Sequence, residues 1–193
     1  MQHCLRCRHF SSVQFNPMTV FNTSMKQMQR SRAAAHPSPK DYDYLRDEVA
    51  SRLVGRLFDI QRTFPTGLDL GGNSGNILGQ VLAQRAPDRG GFPGGLKTLH
   101  VLEPTPGMME RALHTYRQPV EDAVDLHVVP QVAPLEGEPL PYDDASMDVV
   151  LSSMALHWVN DVPGVLAEVK RVLTPDGVFI GALLGGDTLM ELR

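Results

Sequence analysis

The sequence predicts an α/β fold in which helices cover both faces of a parallel β-sheet. Three observations lead to this prediction. The 193 residues are enough for one core of ordinary size. Short apolar runs alternate along the chain with segments of helical periodicity. One of these runs, 67–70, leads into a glycine-rich turn and a helical pattern, which is typical of the carboxyl edge of a parallel sheet.

Charge is distributed unevenly along the chain, although its net value is only −4. Residues 1–40 hold six basic and no acidic side chains, which leaves 12 basic and 22 acidic residues in 41–193. Such an acidic body argues against nonspecific binding to nucleic acid, because that binding requires a cationic surface. No apolar run approaches the ~20 residues that span a bilayer, so no transmembrane helix is predicted.

Residues 1–10 are predicted to be a mitochondrial presequence. They include Arg6 and Arg8, lack acidic residues and alternate cationic with apolar side chains. The run 8–10 (RHF) is typical of a mitochondrial processing site, with cleavage expected after it. A merely basic start of the chain is the alternative interpretation. Cys4 and Cys7 have the spacing of half a metal site or of a redox pair, but no second cysteine pair exists and no metal site is predicted.

Residues 11–40 are predicted to be a basic N-terminal segment that ends in a linker. The part 20–35 is helix-permissive, and Phe21, Met25 and Met28 are spaced as one apolar helix face. The two prolines within 36–39 are expected to end this helix.

Residues 41–193 are predicted to form the domain. A first amphipathic helix covers 42–60, and its inward face is assigned to Leu45, Val49, Leu53, Leu57 and Ile60. Strands are predicted at 67–70, 98–102, 126–129, 147–152 and 178–184, with further helices at 77–86, 106–116 and 162–173. Asn160 or Asp161 is expected to cap the last helix. The glycine- and proline-rich run 86–97 is predicted to be an irregular surface loop.

The glycine turn after the first strand is the first part of a predicted binding site. Ligands of such sheets bind outside the carboxyl ends of the strands, near the point where strand order reverses. Bare glycines allow a ligand to lie against the backbone, and a carboxylate at the strand tip can accept its hydrogen bonds. The residues assigned to this part are Asp69, Gly71, Gly72, Asn73 and Gly75.

Two carboxylates after later strands complete the predicted site. Glu103 follows the second strand and can accept hydrogen bonds from both hydroxyls of a ribose. Glu136 or Glu138, after the third strand, can accept from the exocyclic amine of adenine. Each one alone has an alternative interpretation as a solvated loop residue. Their order on successive strands favours a cofactor that contains adenosine.

Two cofactor classes fit this pattern, a dinucleotide and S-adenosylmethionine. A pyrophosphate-binding turn is expected to show G-x-G-x-x-G, which Gly71, Gly72 and Gly75 do not give. Asp69 would repel a pyrophosphate, whereas the cationic methionine moiety tolerates a nearby acid. S-adenosylmethionine is therefore the predicted cofactor.

The run 69–75 (DLGGNSG) resembles the first motif of Rossmann-like class I S-adenosylmethionine-dependent methyltransferases. Further segments resemble one family more specifically, the mitochondrial assembly factors of respiratory complex I that act as arginine hydroxylases. These segments are 20–34, 42–49, 68–75, 152–161 (SSMALHWVND), 175–182 and 185–193. The resemblance therefore extends from about residue 20 to the end.

This resemblance implies a class I methyltransferase fold and a location in the mitochondrial matrix, with peripheral contact to the inner membrane. The implied role is hydroxylation of an arginine on an iron–sulfur subunit of complex I, with that subunit and other assembly factors as partners and no nucleic acid. No catalytic residue is assigned, because His157 fits a substrate-facing role and a packing role equally. None of the seven histidines has the H-x-D/E spacing of a two-histidine iron site.

The sequence departs from that family in two ways. Asn73 stands where the family has glycine; asparagine tolerates a positive φ, but its side chain is expected to crowd the cofactor's carboxyl end. The chain stops at Arg193, so the final helix and two strands of the fold are expected to be missing and the chain to be a fragment. Two other functions stay open: a methyltransferase acting on a protein or a small carboxylic acid, like the related biotin-pathway enzyme, and a non-catalytic, cofactor-binding assembly scaffold.

Overall fold

A computed structural model describes residues 19–36, 40–86 and 91–186. One sheet of five parallel strands lies at its centre, in the order β3-β2-β1-β4-β5. The strands are β1 (Thr66–Leu70), β2 (Thr98–Leu102), β3 (His127–Gln131), β4 (Met147–Ser153) and β5 (Leu173–Ala182). The strand order reverses between β1 and β4, which places the switch point directly after the glycine-bearing strand. The predicted α/β fold with a parallel sheet is confirmed.

Helices cover both faces of this sheet, as the sequence predicted. The described helices are α1 (Thr23–Ala34), α2 (Lys40–Gly55), α3 (Asn76–Ala83), α4 (Pro106–Asp122) and α5 (Val162–Val172). Of these, α2, α3 and α4 pack on one face of the sheet and α5 packs on the other. Asp161 caps α5 by accepting a hydrogen bond from the backbone N–H of Gly164 at 2.9 Å. Among the described residues, no helix has both the length and the apolar character needed to cross a membrane.

Alternation along the strands divides the core into two parts. Leu68 and Leu70 of β1 pack with the valines of α5 on one face of the sheet. Asp69 lies between them, so its side chain points to the opposite face. Its cross-strand neighbours there, Val101 and Leu151, belong to the core beneath α2, α3 and α4. A carboxylate at this strand tip is therefore buried by the geometry of the sheet.

The predicted inward face of α2 is wrong at its first turns. Leu45 is 46% exposed, while Ala50 and Val54, which the sequence analysis did not assign, are buried. Asp43 takes the inward position at the start of α2, because it pairs with Arg111 of α4 at 2.6 Å. The apolar contact of this helix therefore begins one turn later than its leucine spacing predicted.

The predicted surface loop before β2 is also wrong in part. Phe92 and Leu96 are buried against the main core, and a single 3₁₀ turn spans Pro93–Gly95. The backbone N–H of Phe64 donates to the carbonyl of Gly94 at 2.7 Å, which ties this segment to the start of β1. The glycine and proline content of the run predicted a solvent-exposed loop, but its two apolar side chains fill the end of the core.

The predicted apolar face of α1 is wrong as well. Met25 and Met28 are exposed, and the partly buried side of α1 carries Lys26, Arg30 and Ala34, each four residues apart. No residue of α1 is fully buried. The helix therefore packs on the domain through a cationic stripe. The predicted presequence, 1–10, with its two cysteines, and the resembling run 187–193 lie outside the described residues.

We expect Leu68→Ala to lower the free energy of unfolding by about 2–5 kcal/mol, because it empties a fully buried position between β2 and β4. The same change at Leu166, which is 40% exposed on α5, should cost within about 0.5 kcal/mol. Urea unfolding of both variants checks this, and equal losses would contradict the described burial.

Candidate cofactor site at the strand switch

The glycine turn follows β1 and is tied to the end of β2. The backbone N–H groups of Gly71 and Gly72 both donate to the carbonyl of Leu102, at 2.9 and 3.0 Å. A β-carbon on Gly71 would lie 2.4 Å from that of Ala155, and one on Gly72 would lie 2.6 Å from Val101. Glycine at these two positions is therefore required by the packing of the turn itself.

Asn73 lies at the centre of the turn with a φ of 50°, so the predicted tolerance of positive φ is confirmed. Its side-chain amide nitrogen donates to the carbonyls of Gly71 and Ser153, both at 2.9 Å. Its backbone N–H donates to Glu103 at 2.9 Å. Asn73 thus joins the ends of β1, β2 and β4, and the crowding of a cofactor by its side chain stays a prediction.

Asp69 lies beneath the turn and is completely buried. Neither carboxylate oxygen has a hydrogen-bond partner among the described residues. Burial raises the pKa of Asp69 well above its usual value, and the negative charge of Glu103 raises it further. The sequence analysis expected Asp69 to contact a bound ligand, but the side chain does not line the cavity above the turn.

Glu103 extends from the end of β2 and is completely buried. One carboxylate oxygen accepts from the backbone N–H of Thr105 and the other from that of Asn73, both at 2.9 Å. Arg30 of α1 completes this arrangement, because its Nη2 lies 2.7 Å from both oxygens. The Arg30 guanidinium also donates to the Asn73 side chain and to the Thr105 hydroxyl, both at 3.1 Å.

Arg30 is not among the site residues predicted from the sequence. The available signal was the spacing of Lys26, Arg30 and Ala34 along a helix that precedes an otherwise acidic domain. The apolar spacing of Phe21, Met25 and Met28 predicts the opposite side of the helix as the inward face.

Glu136 lies in the segment after β3 and binds the loop after β4. One oxygen accepts from the backbone N–H groups of Asn160 and Asp161, at 2.7 and 2.8 Å, and the other accepts from the Asn160 side chain at 3.0 Å. The alternative, Glu138, is exposed. An adenine contact by Glu136 stays a prediction, and in this structure its oxygens orient Asn160.

A small cavity lies over the turn and has a volume of about 90 Å³. It is lined by residues of α1, Gly71, the segment after β2, the segment after β3 and the 3₁₀ turn Leu156–Trp158 after β4. Trp158 is 42% exposed, and Lys26 of α1 places its ammonium 3.4 Å from the centre of the indole ring. The predicted turn, Glu103 and Glu136 are therefore brought to one edge of the sheet.

His157 precedes this tryptophan and is half-buried. Burial lowers the pKa of His157, and the positive charges of Arg46 and Lys26 lower it further. Among the described residues, no group of three or more histidine, cysteine, aspartate or glutamate side chains is arranged to hold a metal ion.

Residues 68–181, which include most of β1, all of β2, β3 and β4 and most of β5, match the family model described as a methyltransferase domain. The chain belongs to the methyltransferase-domain family. Its resemblance to the arginine hydroxylases is also confirmed, because the chain is 38% identical to the mitochondrial arginine-hydroxylase NDUFAF5 of Homo sapiens over 177 residues. That match covers 91% of this chain and 45% of the human protein, and it supports a mitochondrial location.

A curated relative and a solved structure give two further comparisons, and the second concerns the fold alone. A malonyl-[acyl-carrier protein] O-methyltransferase of Halorhodospira halophila is 29% identical over 181 residues, which is 92% of this chain and 55% of that protein. A methyltransferase chain solved with a Haloferax volcanii methyltransferase activator has a TM-score of 0.61 and 24% identity, over 80% of this chain and 60% of its own. The chain spans about half the length of the arginine-hydroxylase relatives it matches.

Replacing the buried carboxyl group by Asp69→Asn should change how stability depends on pH. The folded-state pKa of Asp69 is raised, so its contribution is fully present below the unfolded-state pKa and is lost as pH rises through the folded-state pKa. The variant should therefore gain stability relative to the wild type as pH increases from about 4 to about 7. Urea unfolding across this range measures the difference. Asp122→Asn, on the exposed side of α4, is the control. If the stability of Asp69→Asn changed with pH in parallel with that of the wild type, the raised pKa of Asp69 would be contradicted.

The backbone of Asn73 gives a second prediction. Asn73→Gly and Asn73→Ala lose the same side-chain hydrogen bonds, but only alanine places a β-carbon at a φ of 50°. The alanine variant should be less stable by about 0.5–1 kcal/mol, after allowing for the greater freedom of glycine in the unfolded chain. Thermal or urea unfolding of the pair tests this, and equal stabilities would exclude a left-handed backbone here.

Proposed function

We propose that this chain binds S-adenosylmethionine at the strand switch and acts in the mitochondrial matrix on an arginine side chain. The observation that carries the cofactor proposal is Glu103, a buried carboxylate fixed by two backbone N–H groups beside the glycine turn. In that position its two oxygens suit the two hydroxyls of a ribose. Membership of the methyltransferase-domain family supports the same cofactor.

The residues fit this cofactor in part. Of the turn, Gly71 lines the cavity, and as a glycine it places no side chain in it. Asp69 lies under the turn, where its raised pKa favours the neutral carboxyl group. A sulfonium cofactor needs no pyrophosphate fingerprint, and this turn has none. Bound there, S-adenosylmethionine would supply an electrophilic methyl group or would act only as a structural ligand of the protein.

The reaction proposed first is hydroxylation of an arginine on an iron–sulfur subunit of complex I, with other assembly factors as partners. Its support is the likeness to the mitochondrial arginine-hydroxylase over 91% of the chain. Hydroxylation replaces one C–H hydrogen by a hydroxyl group and needs an external oxidant, which we assign to an oxygen donor outside this chain. The proposed organisation is a presequence at 1–10, a basic segment at 11–40 and a methyltransferase-like domain at 41–193.

Methyl transfer to a carboxylic acid is the second candidate. The likeness to the malonyl-[acyl-carrier protein] O-methyltransferase of Halorhodospira halophila over 92% of the chain favours it. In that reaction the carboxylate oxygen forms a bond to the methyl carbon while the methyl–sulfur bond breaks, which leaves S-adenosylhomocysteine. A non-catalytic scaffold is the outcome if neither modification is found.

Two measurements test the proposal. Isothermal calorimetry of the chain should show saturable binding of S-adenosylmethionine and no binding of NAD, because NAD carries a pyrophosphate that the turn is not built to hold. Absence of binding to S-adenosylmethionine in all conditions would overturn the cofactor assignment. Mass spectrometry of the iron–sulfur subunit from wild-type and deletion cells then separates the reactions: an oxygen adds about 16 Da to an arginine peptide, and a methyl group adds about 14 Da.

A further inference from the structure

The segment 20–34, called here the lid, crosses the mouth of the cofactor cavity and is attached at both ends. At its start, the side-chain oxygen of Asn160 accepts hydrogen bonds from the backbone N–H groups of Val20 and Phe21, at 2.9 and 2.8 Å. The Asn160 side chain also donates to the carbonyl of Phe21 at 3.2 Å. Glu136 fixes the orientation of this asparagine by accepting from its other amide hydrogen and its backbone.

The first half of the lid packs on Trp158. The Phe21 ring meets the indole edge-on with a centroid distance of 5.5 Å, and Lys26 lies over its face. At the far end, Arg111 of α4 donates to the carbonyl of Ala33 at 3.3 Å. The lid therefore spans from the loop after β4 to α4, directly over the ends of the central strands.

Arg30 occupies the one acceptor that the proposed ribose needs. Each oxygen of Glu103 already accepts one backbone N–H, and the remaining capacity of both is taken by Arg30 Nη2 at 2.7 Å. A ribose diol cannot hydrogen-bond to this carboxylate while the guanidinium is in place. The cavity under the lid, at about 90 Å³, is also well below the roughly 300–1,000 Å³ of small-molecule sites.

The lid can leave without opening the core. No residue of α1 is fully buried, and its contacts with the domain are hydrogen bonds, one ion pair and ring contacts at a partly exposed tryptophan. Little apolar area would be exposed by its departure, so the cost of opening is smaller than for a core helix.

We propose that the lid is a latch that excludes the cofactor: Arg30 holds Glu103 in the closed state, and S-adenosylmethionine binds only after Arg30 has released it. This inference rests on the cofactor assignment above. The observed affinity equals the intrinsic affinity multiplied by the fraction of open molecules, so a lid that is closed about nine-tenths of the time weakens binding about tenfold.

The test compares Arg30→Ala with Arg32→Ala in the full chain. Arg32 lies on the same helix, is exposed and, in the described structure, donates only to Met28 of that helix. Calorimetry measures the affinity for S-adenosylmethionine. Fluorescence of Trp158, the single tryptophan of the chain, reports separately whether Phe21 and Lys26 still cover the ring.

The latch predicts roughly tenfold tighter binding for Arg30→Ala than for the wild type or Arg32→Ala. Trp158 emission should move to longer wavelength in ligand-free Arg30→Ala, and also when cofactor is added to the wild type. Equal affinity in all three chains, or weaker binding by Arg30→Ala, would overturn the latch while leaving the cofactor assignment intact. Absence of binding in every chain would overturn the cofactor assignment. It would also overturn the proposed competition between Arg30 and the cofactor for Glu103. The ligand-free emission of the two variants would then show whether Arg30 holds the lid.

Discussion

Compensation of one buried charge organises this edge of the protein. The side chain of Glu103 is only 1% exposed, and a buried carboxylate without partners would cost several kcal/mol. Its partners come from three separate segments: the glycine turn supplies the N–H of Asn73, the segment after β2 supplies that of Thr105, and α1 supplies the Arg30 guanidinium. The position of each segment therefore depends on satisfying this carboxylate.

The two buried acids of the site divide their roles according to their surroundings. Glu103 has a cation and two N–H donors, whereas Asp69 has no hydrogen-bond partner among the described residues and a raised pKa. Burial and the neighbouring negative charge of Glu103 both disfavour ionisation of Asp69. The group with donors is the one suited to hold a polar ligand, and Asp69 is suited to fill the space under the turn.

The frame of the methyltransferase domain and the preceding helix α1 meet at this site. The sheet, the switch point and the packed glycines belong to the methyltransferase domain. The basic α1 is laid across that frame by Asn160, Trp158 and Glu103, with no fully buried residue of its own. Polar attachment of this kind is specific in position yet inexpensive to break, which suits an element that opens.

The strands, most of the helices and the order of the turn, Glu103 and Glu136 could be predicted from the sequence, because apolar periodicity and chain order are local properties. The sequence could not determine which side of α1 faces the domain. That choice depends on a carboxylate 73 residues away, and methionine spacing gave the opposite answer. The pairing of Glu136 with Asn160 and the burial of Phe92 likewise depend on segments that meet only after folding. These contacts form only in the folded chain, because each joins segments that are distant in sequence. Arg30 compensates a buried charge, Glu136 accepts hydrogen bonds from a loop, and Phe92 fills the end of the core.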